Sequence, residues 1–259
     1  MFIDTHAHLY ADQFKNDRDE MLQRAIKAGV NRFYLPNIDS SSIEGMLQLE
    51  EDYPGHCYAM MGLHPCSVKE HYEDELDLVK QWLGKRKFCA IGEIGLDLYW
   101  DKTTLGIQTD AFRRQIRWAK ELELPIMIHS REATDEILEI VKEEKDDRLT
   151  GIFHCFTGSL DQAHQVIDLG FLMGIGGVVT FKNAGLDKVV KDIPLSYLVL
   201  ETDAPYLSPV PYRGKRNESS YIPLIAQKLS EVKEVDVESV GRITTENALR
   251  LFERTSVER

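Results

Sequence analysis

Six side chains scattered through this sequence have the chemistry of metal ligands: His6, His8, Glu93, His129, His154 and Asp203. His6 and His8 stand two apart in Asp4-Thr5-His6-Ala7-His8. Residues i and i+2 of an extended segment face the same way, so both imidazoles can converge on one ion. Imidazole and carboxylate donors suit divalent first-row metals, and open coordination positions leave room for water. A carboxylate such as Glu93 can bridge two ions, and a pair roughly 3.5–4 Å apart clamps the attacking and leaving oxygens of a displacement. A lone histidine at a strand end is ordinarily a hydrogen-bonded structural residue. Six ligand types arriving at comparable places are a different matter.

Those places are set by eight short apolar runs: Phe2-Ile3, Phe33 to Leu35, Tyr58 to Met61, Ala90-Ile91, Pro125 to Ile128, Gly151 to Phe153, Phe171 to Ile175 and Tyr197 to Leu200. Their separations suit one strand-plus-helix unit each. Between them lie amphipathic stretches. Phe112, Ile116, Ala119 and Leu122 recur at helical spacing within 109–123, and Ile222, Ile225, Ala226, Leu229 and Val232 form a second stripe. Ser159 followed by Gln162 reads as a capping box. Alternating units imply parallel strands, and eight of them imply closure into a single-domain (β/α)8 TIM barrel spanning residues 1–259. An open doubly wound sheet is the competing fold. The expected ligands then fall at the C-terminal ends of strands one, four, five, six and eight, the rim where barrel enzymes place their chemistry. Closure makes strands eight and one neighbours, so His6, His8 and Asp203 should form one cluster facing a second made of Glu93, His129 and His154.

Bulk properties narrow the function. The 259 residues carry a formal net charge of −12, which argues against coating nucleic acid or an anionic membrane through a broad basic surface. Local grip on a polyanion is still open to such a chain, because bound cations reverse the field inside a site. The four cysteines form no CxxC pair, no basic-then-apolar leader opens the chain, and no apolar run approaches a membrane span. A cytoplasmic enzyme is the expectation.

The sequence resembles the TatD family of metal-dependent deoxyribonucleases, within the amidohydrolase-like barrels. The motifs that carry the resemblance run from Phe2-Ile3-Asp4-Thr5-His6-Ala7-His8 through Gly62-Leu63-His64-Pro65, Ile91-Gly92-Glu93-Ile94-Gly95-Leu96-Asp97 and Pro125-Ile126-Met127-Ile128-His129-Ser130-Arg131. They continue through His154-Cys155-Phe156-Thr157-Gly158 and Glu201-Thr202-Asp203-Ala204-Pro205 to Tyr212-Arg213-Gly214-Lys215-Arg216-Asn217-Glu218. The resemblance implies that the six residues ligate metal and that the substrate bond is a phosphodiester, usually in DNA. Leu98 departs from the pattern where an aromatic is expected, and Ser219-Ser220 replace a common proline. Both departures are expected in rim loops, where they bear on substrate preference.

On this reading two divalent cations (zinc, manganese or magnesium) lower the pKa of water and neutralise phosphoryl charge. Asp203 is the expected general base or proton shuttle, with Glu93 bridging. His64, Arg131, Arg213, Lys215 and Arg216 are the expected substrate contacts, Lys182 and Asn183 weaker ones. Arg131 has an equal alternative in pairing with a rim carboxylate. Asp4 and Glu201 are expected to point inward and to orient a ligand histidine or pair with a cation. Cys155 is expected to be an inert thiol, while Tyr99, Trp100 and Tyr206 are candidates for stacking on a base. The substrate expectation is DNA, trimmed at ends or as single strands. The alternatives are an amide or ester hydrolase, such as a deacylase of small substrates or aminoacyl-tRNA, and a barrel retained as a scaffold.

Overall fold

The computed structural model describes residues 1–253. Eight strands follow one another with helices between: β1 (Phe2–Asp4), β2 (Val30–Leu35), β3 (Cys57–Ala59), β4 (Ile91–Asp97), β5 (Ile126–Arg131), β6 (Gly151–Phe153), β7 (Leu172–Ile175) and β8 (Leu198–Leu200). The helices are α1 (Arg18–Lys27), α2 (Ile43–Asp52), α3 (Tyr72–Lys85), α4 (Leu105–Leu122), α5 (Thr134–Glu144), α6 (Leu160–Asp168), α7 (Leu186–Asp192), α8 (Ile222–Lys233) and α9 (Val237–Phe252). All neighbouring strands pair in parallel, β1 to β3 in one run and β4 to β8 in another.

Hydrogen bonds beyond the strand ends join the two runs into a closed barrel. On one side the Met61 N–H donates to Ala90 O at 3.2 Å and the Gly92 N–H to Met61 O at 3.1 Å. On the other, Thr5 N–H reaches Leu200 O at 3.0 Å, Asp203 N–H reaches His6 O at 2.9 Å, and His8 N–H reaches Ala204 O at 2.7 Å. The open-sheet alternative is thereby excluded.

Strand alternation divides the side chains into two populations. Ile126, Ile128, Phe153, Leu198 and Leu200 face outward into the core shared with the helices. Ile3, Tyr34, Met60, Ala90, Met127, Ile152, Leu172 and Val199, one from each strand or its immediate flank, fill the lower barrel interior. The end of α9 closes that layer from below, with Ala248 and Phe252 in the same cluster and Phe252 stacked on Tyr34 at 3.8 Å. The lower interior of the barrel is therefore apolar, and polar inward positions are left at the opposite end.

The expected helices are present with longer bounds, and the Ser159–Gln162 capping box forms at the start of α6. Two boundaries differ. β4 runs on to Asp97, so Glu93 lies inside the strand instead of beyond it, and His129 likewise lies within β5. The extension arises from the pairing of Ile94 to Asp97 with Ile128 to Arg131, a long-range contact with no local signature. Helix α9 carries no clear apolar stripe in the sequence: its buried face mixes Val240, Ala248 and Phe252 with Thr244, Thr245 and Asn247, and its role is set by the opening it plugs. Replacing Phe252 with Ala should lower the unfolding free energy by about 3 kcal/mol or more, read as a fall in urea midpoint at unchanged m-value.

Candidate metal centre

All six expected ligands converge at the C-terminal end of the barrel, around the Glu93 carboxylate. Its Oε2 lies 3.2 Å from His6 Nε2 and 3.5 Å from His8 Nε2. Asp203 Oδ1 stands 3.6 Å from each of those nitrogens, which are 3.3 Å from one another. Donor atoms held roughly 2.0–2.1 Å from a tetrahedral cation are separated by about 3.3–3.4 Å. This quartet matches that spacing, so the residues present fit a divalent cation.

The other carboxylate oxygen, Oε1, faces the second group. His129 Nδ1 is 2.7 Å away and His154 Nε2 is 2.8 Å away, with 3.4 Å between the two nitrogens. These are hydrogen-bond contacts, and an ion there requires the groups to part by roughly half an ångström. The two groups are not separate clusters facing each other. Glu93 belongs to both, and the His6 and His154 rings stack at 3.8 Å.

Surrounding partners fix which ring nitrogen is free. Tyr10 donates its hydroxyl proton to Pro36 O at 2.6 Å, so it accepts from His8 Nδ1–H at 2.9 Å, leaving the His8 Nε2 lone pair aimed at the site. Asp97 Oδ2 takes His129 Nε2–H at 3.0 Å and turns Nδ1 toward Glu93. The Cys66 N–H donates to His64 Nδ1 at 3.0 Å, which places the proton of neutral His64 on Nε2, 3.4 Å from Glu93 Oε1. His64 is therefore wired as a donor beside the centre, whereas His8 and His129 are wired as acceptors of a cation.

Electrostatics follow from this packing. Burial alone would push the Glu93 carboxyl up, but His154, His6, His64 and His129 hold it well below the carboxylate range. Burial drives His6 well below the usual imidazole value, aided by His154. For His154 burial acts in the same sense but is overcome by Glu93 and Glu201. His129 is likewise raised against burial by Asp97 and Glu93. Asp203 is pushed up to about 6 by burial, against the pull of His154 and His8.

The family described as TatD related DNase matches residues 3–253. The chain belongs to that family. The metal-dependent hydrolase YabD of Bacillus subtilis is 45% identical over 253 residues, covering 97% of this chain and 99% of its own. The 3'-5' ssDNA/RNA exonuclease TatD of Dickeya dadantii is 33% identical over 256 residues, covering 96% and 97%. Among solved structures, the TatD homologue YjjV of Escherichia coli superposes with a TM-score of 0.92 at 32% identity, covering 97% of this chain and 98% of that one. This TatD-family protein is accordingly a metal-dependent hydrolase.

Other expected residues fall into three groups. His64 reaches the centre. Arg131, Arg213 and Lys215 stay on the exposed rim, with Arg131 placed 3.8 Å over the Tyr99 ring, Arg213 4.4 Å over Phe181 and Lys215 5.8 Å over Tyr212. Among the described residues Arg131 has taken neither a rim carboxylate nor a place beside Glu93, and Lys182 and Asn183 remain exposed. Arg216 departs from expectation: it is bound bidentately to Asp17 at 2.7 and 2.7 Å and reaches Gln13 O, so it fastens its loop to the segment before α1.

Asp4 points inward as expected and holds the ligand histidine through its backbone, with no imidazole ring and no cation on it among the described residues; its carboxylate accepts from Thr202 N and Oγ1 at 3.0 and 2.6 Å, from Ser219 Oγ at 2.7 Å and from His6 N at 3.3 Å. Ser219 is thus a buried strut, a bond that a proline at this position would not make, and Leu98 is buried in the core. Neither lies free in a rim loop. Glu201 does point inward, accepting Cys155 N–H at 2.6 Å with His154 Nδ1 at 3.4 Å, in space that Gly174 leaves open: a Cβ there would lie 2.0 Å from Glu201 Oε2. Burial and the neighbouring carboxylates push the Cys155 thiol well above its usual range, which fits an inert role.

Two residues of the site lie outside the sequence-based expectation. Asp97 shares the parity of Glu93 on β4, a signal that strand alternation makes visible once the strand is known to extend that far. Tyr10 had no sequence signal, because its bond to His8 depends on the loop after β2. Replacing Asp97 with Asn should weaken metal binding about 10–100-fold, measured by competition with a chromophoric chelator, while the metal-free protein melts within a few degrees of wild type.

Proposed function

We propose that this protein hydrolyses phosphodiester bonds of nucleic acid, DNA first, trimming single strands or ends. Two divalent cations would be held by His6, His8 and Asp203 and by His129 and His154, with Glu93 between them. The observation that carries the reading is the combination of that carboxylate-bridged donor set with a donor histidine and a rim of cation–aromatic pairs. Five of the eight exposed large apolar side chains among the described residues, Tyr99, Trp100, Tyr206, Leu207 and Val210, lie on loops at this end of the barrel. In a chain of net charge −12, the rim cations Arg131, Arg213 and Lys215 sit around the one place where bound cations would invert the field. Aromatic faces with interleaved cations suit unpaired bases and phosphates. The Dickeya dadantii relative, named a 3'-5' ssDNA/RNA exonuclease, supports the same class of substrate.

When bound, the cations would activate water and neutralise phosphoryl charge. The chain's own groups do the rest. His64 Nε2–H donates to a non-bridging phosphate oxygen. Asp203, whose Oδ1 stands among His6, His8 and Glu93, would take a proton from the attacking water and pass it to the leaving oxygen. Tyr10, Asp97 and Glu201 hold three of the imidazoles in place. Zinc or manganese suits four imidazole donors best, with magnesium the third candidate. The four cysteines are free thiols, which fits the reducing cytoplasm, and no helix among the described residues is long and apolar enough to cross a membrane.

Metal-stripped protein, tested with each of the three metals restored against single-stranded DNA, duplex DNA, RNA and an ester and amide set, should cleave single-stranded DNA and be silent without metal. Cleavage confined to carbonyl substrates would establish the ester or amide hydrolase instead. Asp203→Asn should lose about 10²–10⁴-fold in kcat while retaining its metal by elemental analysis; full activity with metal retained would remove the shuttle role.

A further inference from the structure

We infer that Tyr99, Trp100 and Arg131 form a subsite for one unpaired base at a nucleic-acid end, with the Trp100 ring as its stacking platform. The identity of the ligand rests on the phosphodiesterase reading above; the geometry does not. Trp100 is 71% exposed, more than any other large apolar side chain among the described residues, and Tyr99 is 49% exposed. Tryptophan buries more area than any other residue on contact, so leaving its ring in water forgoes a large apolar gain unless a partner covers it.

This exposure belongs to a pinned loop. Tyr99 N–H donates to Asp97 Oδ1 at 3.1 Å, Leu98 N–H donates to Arg131 O at 2.9 Å, the Leu98 side chain is buried, and Asp101 caps Thr103 N at 2.8 Å. The two rings meet edge to face, 4.8 Å apart at 89°. The Arg131 guanidinium covers the Tyr99 face at 3.8 Å and stands 5.5 Å from Trp100. Tyr99 is thus occupied by the cation, and Trp100 is the ring with space beside it.

Arg131 has no carboxylate within ion-pair distance among the described residues, although the chain is acidic. Its charge is directed to solvent beside the metal centre, where a phosphate would meet it. The subsite lies close to the reaction. Arg131 follows His129 by two residues on β5, about 6.6 Å along the strand. Asp97 binds His129 through one oxygen and the Tyr99 N–H through the other, so one carboxylate sets both the candidate ligand and the platform. A base already stacked within a duplex cannot lie on Trp100 without unpairing. Strand preference would therefore be set here, with little preference among bases, since every base offers a π-face.

The test measures binding by fluorescence anisotropy of a labelled phosphorothioate strand, intact or abasic over its terminal residues, alongside cleavage of the corresponding phosphodiester strands. Wild type should bind the intact strand roughly 5- to 140-fold more tightly than the abasic one. Trp100→Ala should lose that preference, Trp100→Phe should recover most of it, and Arg131→Gln should reduce the salt slope by about one. Unchanged melting temperatures exclude a folding defect as the cause. If Trp100→Ala keeps the wild-type preference for the intact strand, the subsite is wrong even where cleavage is intact. If wild type cleaves neither strand yet shows the Trp100-dependent preference, hydrolysis is wrong and the subsite stands.

Discussion

The contact between the first strand and the last is the one on which this site depends. Backbone bonds from Thr5, Asp203 and His8 cross from β1 to β8 and back, and Asp4 reinforces them by gripping Thr202 and Ser219. Only this seam brings His6 and His8 beside Asp203, nearly two hundred positions later in the chain. A buried carboxylate is costly without partners, and Asp4 has four hydrogen bonds, so its charge is stabilised as a clasp. Burial nonetheless raises its carboxyl to about 7.

A second constraint is the division of the barrel interior into an apolar floor and a polar mouth. Eight inward side chains and the end of α9 fill the floor with apolar groups. The mouth can then hold many imidazoles and carboxylates at close quarters because each neutralises its neighbours. Glu93 is held in its charged form by His154, His6, His64 and His129, of which Asp97 turns His129 and Glu201 stands beside His154, while Tyr10 turns the neighbouring His8. Positive charge introduced at Glu93 would relieve a site in which carboxylates from β4 and the β8 end converge. That is the physical sense in which the protein is prepared for cations.

The rim follows a different rule. Arg131, Arg213, Lys215 and Arg216 all lie over aromatic rings, but Arg216, above Phe14, is also committed to Asp17 and, with Arg24 and Glu218, secures the loop after β8 to α1. A basic run in sequence thus divides into one structural residue and two free ones. The local sequence does not distinguish them, since the partner of Arg216 lies 199 residues away.

By itself, the sequence determined the strand-and-helix alternation, the capping box at α6 and which strands carry the ligand-type residues, because periodicity and residue chemistry are local. Family motifs extended that to the class of enzyme. What only the tertiary structure decided were the extension of β4 to Asp97, the sharing of Glu93 between two groups, the tautomers of His8, His64 and His129, and the separate fates of Arg131 and Arg216. Each depends on a partner far along the chain, and pairing at a distance leaves no imprint on the spacing of residues. Closure of the barrel supplies those partners.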